Sequence, residues 1–245
     1  MSAPYRQFCP VAKAMELLDE RWTMLIVREL ISGSSQFNEL RRGVPRISPA
    51  LLSKRLGELT RAGIVAKDQA GARAGYRLTE AGRELEPVVE AIGTWGIRWI
   101  GELGDADLDP RLLLWDIHRN LRHENLPTGR TVVEFIFPDC AASQRHWWLV
   151  ATPDDADVCD ADPGHPVSVT VTASLRELTR VWRGDLPWDR ALRSGSVALS
   201  GNGPLCRQFP GWLALSTFAD VRRPHSPRGA EVTASAAAGT PVLPR

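Results

Sequence analysis

The stretch Ile47–Ser48–Pro49–Ala50–Leu51–Leu52–Ser53–Lys54–Arg55–Leu56–Gly57–Glu58–Leu59 decides the fold of the first hundred residues. Ser48 is a favourable N-cap, and Pro49 sits at the first helical position, where a missing N–H costs little. Leu52, Leu56 and Leu59 fall at i, i+4 and i+7, a single apolar stripe. The opposite face is small, hydroxylic and basic: Ala50, Ser53, Lys54 and Gly57. Such a face fits closely into a major groove, with Lys and Arg reaching bases or phosphates and Ser donating to phosphate.

Around this helix the pattern is consistent. Pro10 opens a helix carrying Val11, Met15 and Leu18; Trp22, Leu25, Ile26 and Leu30 mark a second, ended by Gly33. Phe37 to Arg41 forms a short third helix, which the Gly43–Val44–Pro45 turn stops. A short helix, a tight turn and the Ser48 helix together make a helix-turn-helix. Ile64–Lys67 and Tyr76–Thr79 then read as two strands around the Gly-rich turn 68–75, which carries Arg73: a wing. From Thr79 one long helix is expected, with Leu85, Val88, Ile92, Trp95 and Trp99 spaced about 3.5 apart, the period of a helix–helix seam.

Charge agrees with this reading. Residues 1–101 hold 15 Lys/Arg against 11 Asp/Glu, and the remainder 15 against 18. Arg41, Arg42, Arg46, Lys54 and Arg55 lie within fifteen residues that contain no acid. A basic cluster is often only a solvated face; next to a helix-turn-helix it points to nucleic acid.

The runs C-P-V-A at 9–12, R-W-T-M-L-I-V-R-E-L at 21–30, F-N-E-L-R-R at 37–42, I-S-P-A-L-L-S-K-R-L at 47–56 and Y-R-L-T-E-A-G at 76–82 resemble the HxlR-type winged-helix regulators, collinearly over residues 8–100. The resemblance implies a homodimer joined by the terminal helices of this domain, binding a pseudo-palindromic double-stranded DNA operator. The expected DNA-facing residues are Arg41, Ser48, Pro49, Ala50, Ser53, Lys54, Arg55 and, on the wing, Arg73. Some members of that family sense oxidants through the cysteine before Pro-Val, which offers Cys9 as a thiol switch. A helix N-terminus is a place where thiolates are favoured, although Cys is equally a common small apolar filler.

Gly101 to Pro110 is acidic and turn-rich and divides the chain, giving a DNA-binding domain at 1–102 and a second at 111–222. The second opens with a helix over 111–118. Strands over 131–137, 146–151 and 167–172 follow, then helices over 175–182 and 188–193, a strand over 197–199 and a helix over 205–209. The run V-T-V-T-A-S-L-R-E-L-T-R-V-W-R-G-D-L-P-W-D-R-A-L-R-S-G-S-V-A-L-S-G at 169–201 resembles the sterol-carrier-protein-2-like fold: strand, helix, Gly turn, helix and a strand ending in Ser-Gly. The whole chain is therefore expected to be α+β. The second resemblance implies an apolar cavity between sheet and helices that takes a small-molecule effector, with Phe135, Phe137, Trp148, Trp182 and Trp188 as candidate lining residues. Large aromatics are also ordinary core, so a purely structural or partner-binding second domain stays open.

Other classes find little support. No window approaches the roughly 18 apolar residues of a membrane span, which together with four scattered cysteines leads us to expect a cytoplasmic protein. Gly201–Asn202–Gly203 is followed by Cys206 where a dinucleotide fingerprint needs its third glycine. His118 and His123 fall on different helix faces and suit no shared metal. No enzyme, cofactor or metal is expected. Residues 223–245, rich in Pro, Ala and Ser, read as a disordered tail.

Overall fold

The structure is a computed structural model that describes residues 4–68, 75–100 and 103–223. The N-terminal unit runs α1 (Pro10–Leu18), α2 (Thr23–Ile31), α3 (Phe37–Gly43), α4 (Pro49–Arg61), β1 (Val65–Asp68), β2 (Gly75–Leu78), α5 (Glu80–Arg83) and α6 (Glu86–Trp99). Its core gathers Ile26, Val27, Leu30, Leu40, Leu52, Leu56 and Leu59, so the apolar stripe of α4 packs against α2 and α3. The antiparallel β1–β2 hairpin pairs Val65 with Leu78 and Lys67 with Tyr76. It is tied to the α2–α3 connection by the Tyr76 N–H, which donates to the Ser35 carbonyl at 2.8 Å.

The long helix expected from Thr79 is two helices. Pro87 has no N–H to donate to the carbonyl four residues back, so the chain breaks after α5 and restarts with proline in the first turn of α6.

The C-terminal unit runs α7 (Pro110–Arg119), β3 (Thr131–Ile136), β4 (His146–Ala151), β5 (Ala156–Cys159), β6 (Val169–Ala173), α8 (Leu175–Trp182), α9 (Trp188–Ser194), β7 (Val197–Gly201) and α10 (Gly203–Gln208). Its sheet has the order β5-β4-β3-β6-β7, antiparallel except for the parallel β3–β6 pair. Register sets Phe135 beside both Trp147 and Val171. With Val133, Leu149 and Val169 they form one buried face beneath α7, α8 and α9. Strand β5 carried no usable sequence signal: four residues, Ala-Asp-Val-Cys, at a sheet edge show no clear alternation.

The two units meet on a buried carboxylate. Glu29 of α2 is wholly inaccessible to solvent. Arg119, at the end of α7, donates to both its oxygens at 2.7 and 3.2 Å. Arg28 donates to Oε1 at 2.6 Å and also to the Gly43 carbonyl at 2.8 Å, and Ser34 donates at 3.2 Å. Arg119 is held in turn by Asp116. Burial alone would raise the Glu29 pKa; hydrogen bonds and charge from Arg119 and Arg28 outweigh it and hold the carboxyl below its ordinary value. A depressed carboxylate pKa contributes stability above the ordinary Glu range, and that contribution is lost as pH falls through the lower folded value.

Gly43 makes room for this arrangement. A Cβ there would lie 1.7 Å from Glu29 Oε2, whereas a Cβ on Gly57 of α4 would meet nothing within 4 Å. Gly43→Ala is therefore expected to destabilise the protein by about 3 kcal/mol or more, because the buried carboxylate must leave its arginines. Gly57→Ala is expected to stabilise by about 0.5–1 kcal/mol through helix propensity. Denaturant unfolding of the two variants checks this contrast.

Candidate nucleic-acid interface

The exposed face of α4 is built from its N-terminus. The Ser48 side chain accepts the Leu51 N–H at 3.3 Å and fixes the first turn, with Pro49 inside it. Leu52, Leu56 and Leu59 lock the helix onto the core, so Ser48, Pro49, Ala50, Ser53 and Lys54 all face solvent. The Lys54 side chain is 60% exposed, its ammonium 4.0 Å from Glu58.

The five clustered cations are divided by the fold. Arg41, on α3, is exposed and, like Lys54 on α4, makes no contact with the C-terminal unit among those described. Arg42 pairs with Asp157 of β5 at 3.0 Å, its guanidinium 5.2 Å from the centre of the Trp115 ring. His118 stacks on Trp115 at 4.5 Å. Arg46 donates to the Ala106 carbonyl at 2.6 Å.

Arg55 departs most from the sequence expectation. The residue is only 7% exposed, and its guanidinium donates to Glu58 at 2.6 Å, Glu20 at 2.6 Å and the Arg21 carbonyl at 3.2 Å. Burial opposes its charge, but Glu58 and Glu20 prevail and raise its pKa. Arg55 lies one turn after Leu52, on the flank of the stripe that turns inward, where its guanidinium reaches Glu20 and the Arg21 carbonyl of the α1–α2 corner as well as Glu58 of its own helix. It pins α4 to that corner and does not stand on the exposed face.

The strands of the wing present Lys67 and Arg77 to solvent, two cations that the sequence reading passed over. Their signal was a basic residue in each strand flanking the turn. Arg73 lies outside the described residues. Cys9 is half-buried at the start of α1, where its side chain makes no capping hydrogen bond.

The five aromatics proposed for a ligand cavity do not share one. Phe135, Phe137 and Trp182 belong to the packed core, with Trp188 against it. Phe209 fills the space between them, edge-on to both Phe135 and Trp188. Trp148 alternates to the other face of the sheet, beside His146. Among the described residues no group of three or more His, Cys, Asp or Glu could hold a metal, and no helix is long and apolar enough to cross a membrane.

A capped, solvent-facing second helix after a tight turn, followed by a basic hairpin, defines a winged helix-turn-helix. The chain belongs to the HxlR-like helix-turn-helix family, whose profile matches residues 17–103. It is 38% identical over 98 residues to YvaP of Bacillus subtilis, an uncharacterized HTH-type transcriptional regulator, covering 91% of that protein and 38% of this chain. YdeP, a second such regulator of Bacillus subtilis, is 34% identical over 94 residues, covering 73% of its length and 37% of this chain. Among solved structures, the reduced form of the transcriptional regulator YodB from B. subtilis is 31% identical, covering 39% of this chain and all of that one, with a TM-score of 0.35. The protein is a DNA-binding transcriptional regulator.

Replacing Arg55 with Ala leaves Glu20 and Glu58 without their shared guanidinium. The variant is expected to lose about 1–3 kcal/mol of stability. Lys54→Ala, on the exposed face, is expected to leave the unfolding midpoint within error of wild type. Parallel denaturant titrations check both.

Proposed function

We propose that α4 reads an operator in the major groove, with Ser53 and Lys54 reaching bases or phosphates, Ser48 and Arg41 holding the backbone, and Pro49 and Ala50 permitting close approach. The observation that carries this reading is the exposed, small and basic face of an N-capped helix whose other side is locked in the core. The wing, through Lys67, Arg77 and the turn that carries Arg73, adds phosphate contacts.

The functional unit in this proposal is a homodimer. Along α6, Ile92, Trp95 and Trp99 are 55%, 58% and 63% exposed; on α1, Val11 and Met15 also face solvent. An apolar strip of this size on two helices suits burial against a second copy. The two α4 helices would then enter successive major grooves of a pseudo-palindrome.

We read the C-terminal unit as sterol-carrier-protein-2-like and regulatory. In support, β6, α8, the Gly184 turn, α9 and β7 follow in that order, and β7 ends on Ser200–Gly201. Its route to the DNA-binding unit is through Glu29–Arg119 and Arg42–Asp157, contacts that end on α2 and α3. An apolar effector among Phe135, Phe137 and Trp182 would have to open a filled core. The same contacts therefore also favour a bracing role for this unit.

Lys54→Ala is expected to weaken operator binding and to lower the slope of log K against log salt by about 0.9, the mark of one lost phosphate contact. Arg55→Ala is expected to leave that slope unchanged. Fluorescence anisotropy across a salt series measures both; an unaltered slope for Lys54→Ala would remove that residue from the interface.

A further inference from the structure

A cleft of about 630 Å³ lies between α6, α8 and the chain that returns after α10. That volume falls within the ordinary range of small-molecule sites. Its floor is the outer flank of α8, where Arg176, Arg180 and Arg183 recur at i, i+4 and i+7, and Arg223 enters from the opposite wall. Four guanidiniums thus face only two carboxylates in the lining, Glu177 and Asp185.

The pairing within the cleft is unequal. Arg176 is spent on the Leu103 carbonyl at 2.8 Å and Asp105 at 2.6 Å, and Arg180 on Glu177 at 3.0 Å. Arg183 and Arg223 share one acid: Arg223 meets Asp185 at 2.5 Å, and Arg183 reaches it through Nε at 3.5 Å. Among the described residues Arg183 has no other polar partner, although its side chain is only 17% exposed. Burial, with the neighbouring Arg223 adding to it and Asp185 opposing, lowers its pKa. A half-buried guanidinium with free Nη groups gains from an anion placed before it.

The walls are held in place by close packing. Gly184 has φ of 77°, and a Cβ there would stand 2.4 Å from the Ala219 carbonyl. The Ser216 N–H donates to the Trp182 carbonyl at 3.0 Å, and Phe218 packs onto Gly93 of α6, where a Cβ would come within 2.2 Å of its ring. One turn further along α6, Ile97 faces the cleft, and with Leu103, Ala219 and Val221 it supplies an apolar side.

We propose that this cleft binds a small organic anion, a carboxylate or phosphate monoester on an apolar body, with Arg183 and Arg223 as the anion ligands and Ile97, Leu103 and Val221 as the apolar contacts. Bound there, the molecule touches α6, α8 and the inter-unit linker together, so it ties the C-terminal unit to the last helix of the DNA-binding unit.

Isothermal titration of the full chain, without DNA, with hexyl phosphate, hexanoate, inorganic phosphate and hexylamine tests the site. Hexyl phosphate or hexanoate should bind, inorganic phosphate more weakly and hexylamine not at all. The two organic anions distinguish which headgroup the arginines prefer. Arg183→Gln and, separately, Arg223→Gln should each weaken anion binding by about tenfold with thermal unfolding retained. Arg223 lies beyond the last helix, so its variant keeps the test sound if Arg183→Gln fails to fold. Equal binding of hexylamine, no anion binding at millimolar concentration, or unchanged affinity in Arg223→Gln would overturn the proposal. None of these results bears on operator binding, which the salt series reads separately.

Discussion

Glu29 is the charge on which the arrangement of the molecule depends. A carboxylate with no solvent access is tolerable only if its lone pairs are filled and its charge is balanced. Here α2 supplies the acid and Arg28, the α2–α3 connection supplies Ser34, and α7 of the other unit supplies Arg119. Neither unit satisfies this group alone. The absence of a side chain on Gly43 is what lets α3 close over it.

That constraint distributes the rest of the charge. With α7 docked on α2 and α3, Asp157 and Trp115 come within reach of Arg42, and the linker carbonyl of Ala106 reaches Arg46. Three of the five clustered cations thereby have partners within the protein, Arg42 and Arg46 at its surface and Arg55 in its interior. Arg41 and Lys54 are left to the solvent face. The basic patch that suggests nucleic acid in the sequence is thus narrower in space than in the chain, and it is centred on the small-residue face of α4.

Much of this was legible in advance where a local rule governs. Ser48–Pro49 marks the start of α4, Leu52/Leu56/Leu59 its buried stripe, and Val169/Val171 the inward face of β6, because capping and periodicity act within a few residues. What escaped depends on partners distant in sequence. Glu29 is ninety positions from Arg119, and nothing near either residue announces the pair. Arg55 appeared to belong to the exposed face because its acids sit partly in another helix corner. The aromatic residues of the second unit suggested a cavity, but composition does not reveal that Phe209 fills the space beside Phe135 and Trp188. The break before α6 was readable from Pro87 and was overridden by the regular spacing of apolar residues across it.

The two units are joined energetically through Glu29 and Arg119, and a double-mutant cycle measures that coupling. Glu29→Gln, Arg119→Met and the pair would be compared with wild type by denaturant unfolding at neutral pH. The double variant is expected to be less destabilised than the two single changes together, with a coupling energy of about 1–3 kcal/mol. Effects that simply add, within about 0.5 kcal/mol, would show that Glu29 and Arg119 do not couple the two units.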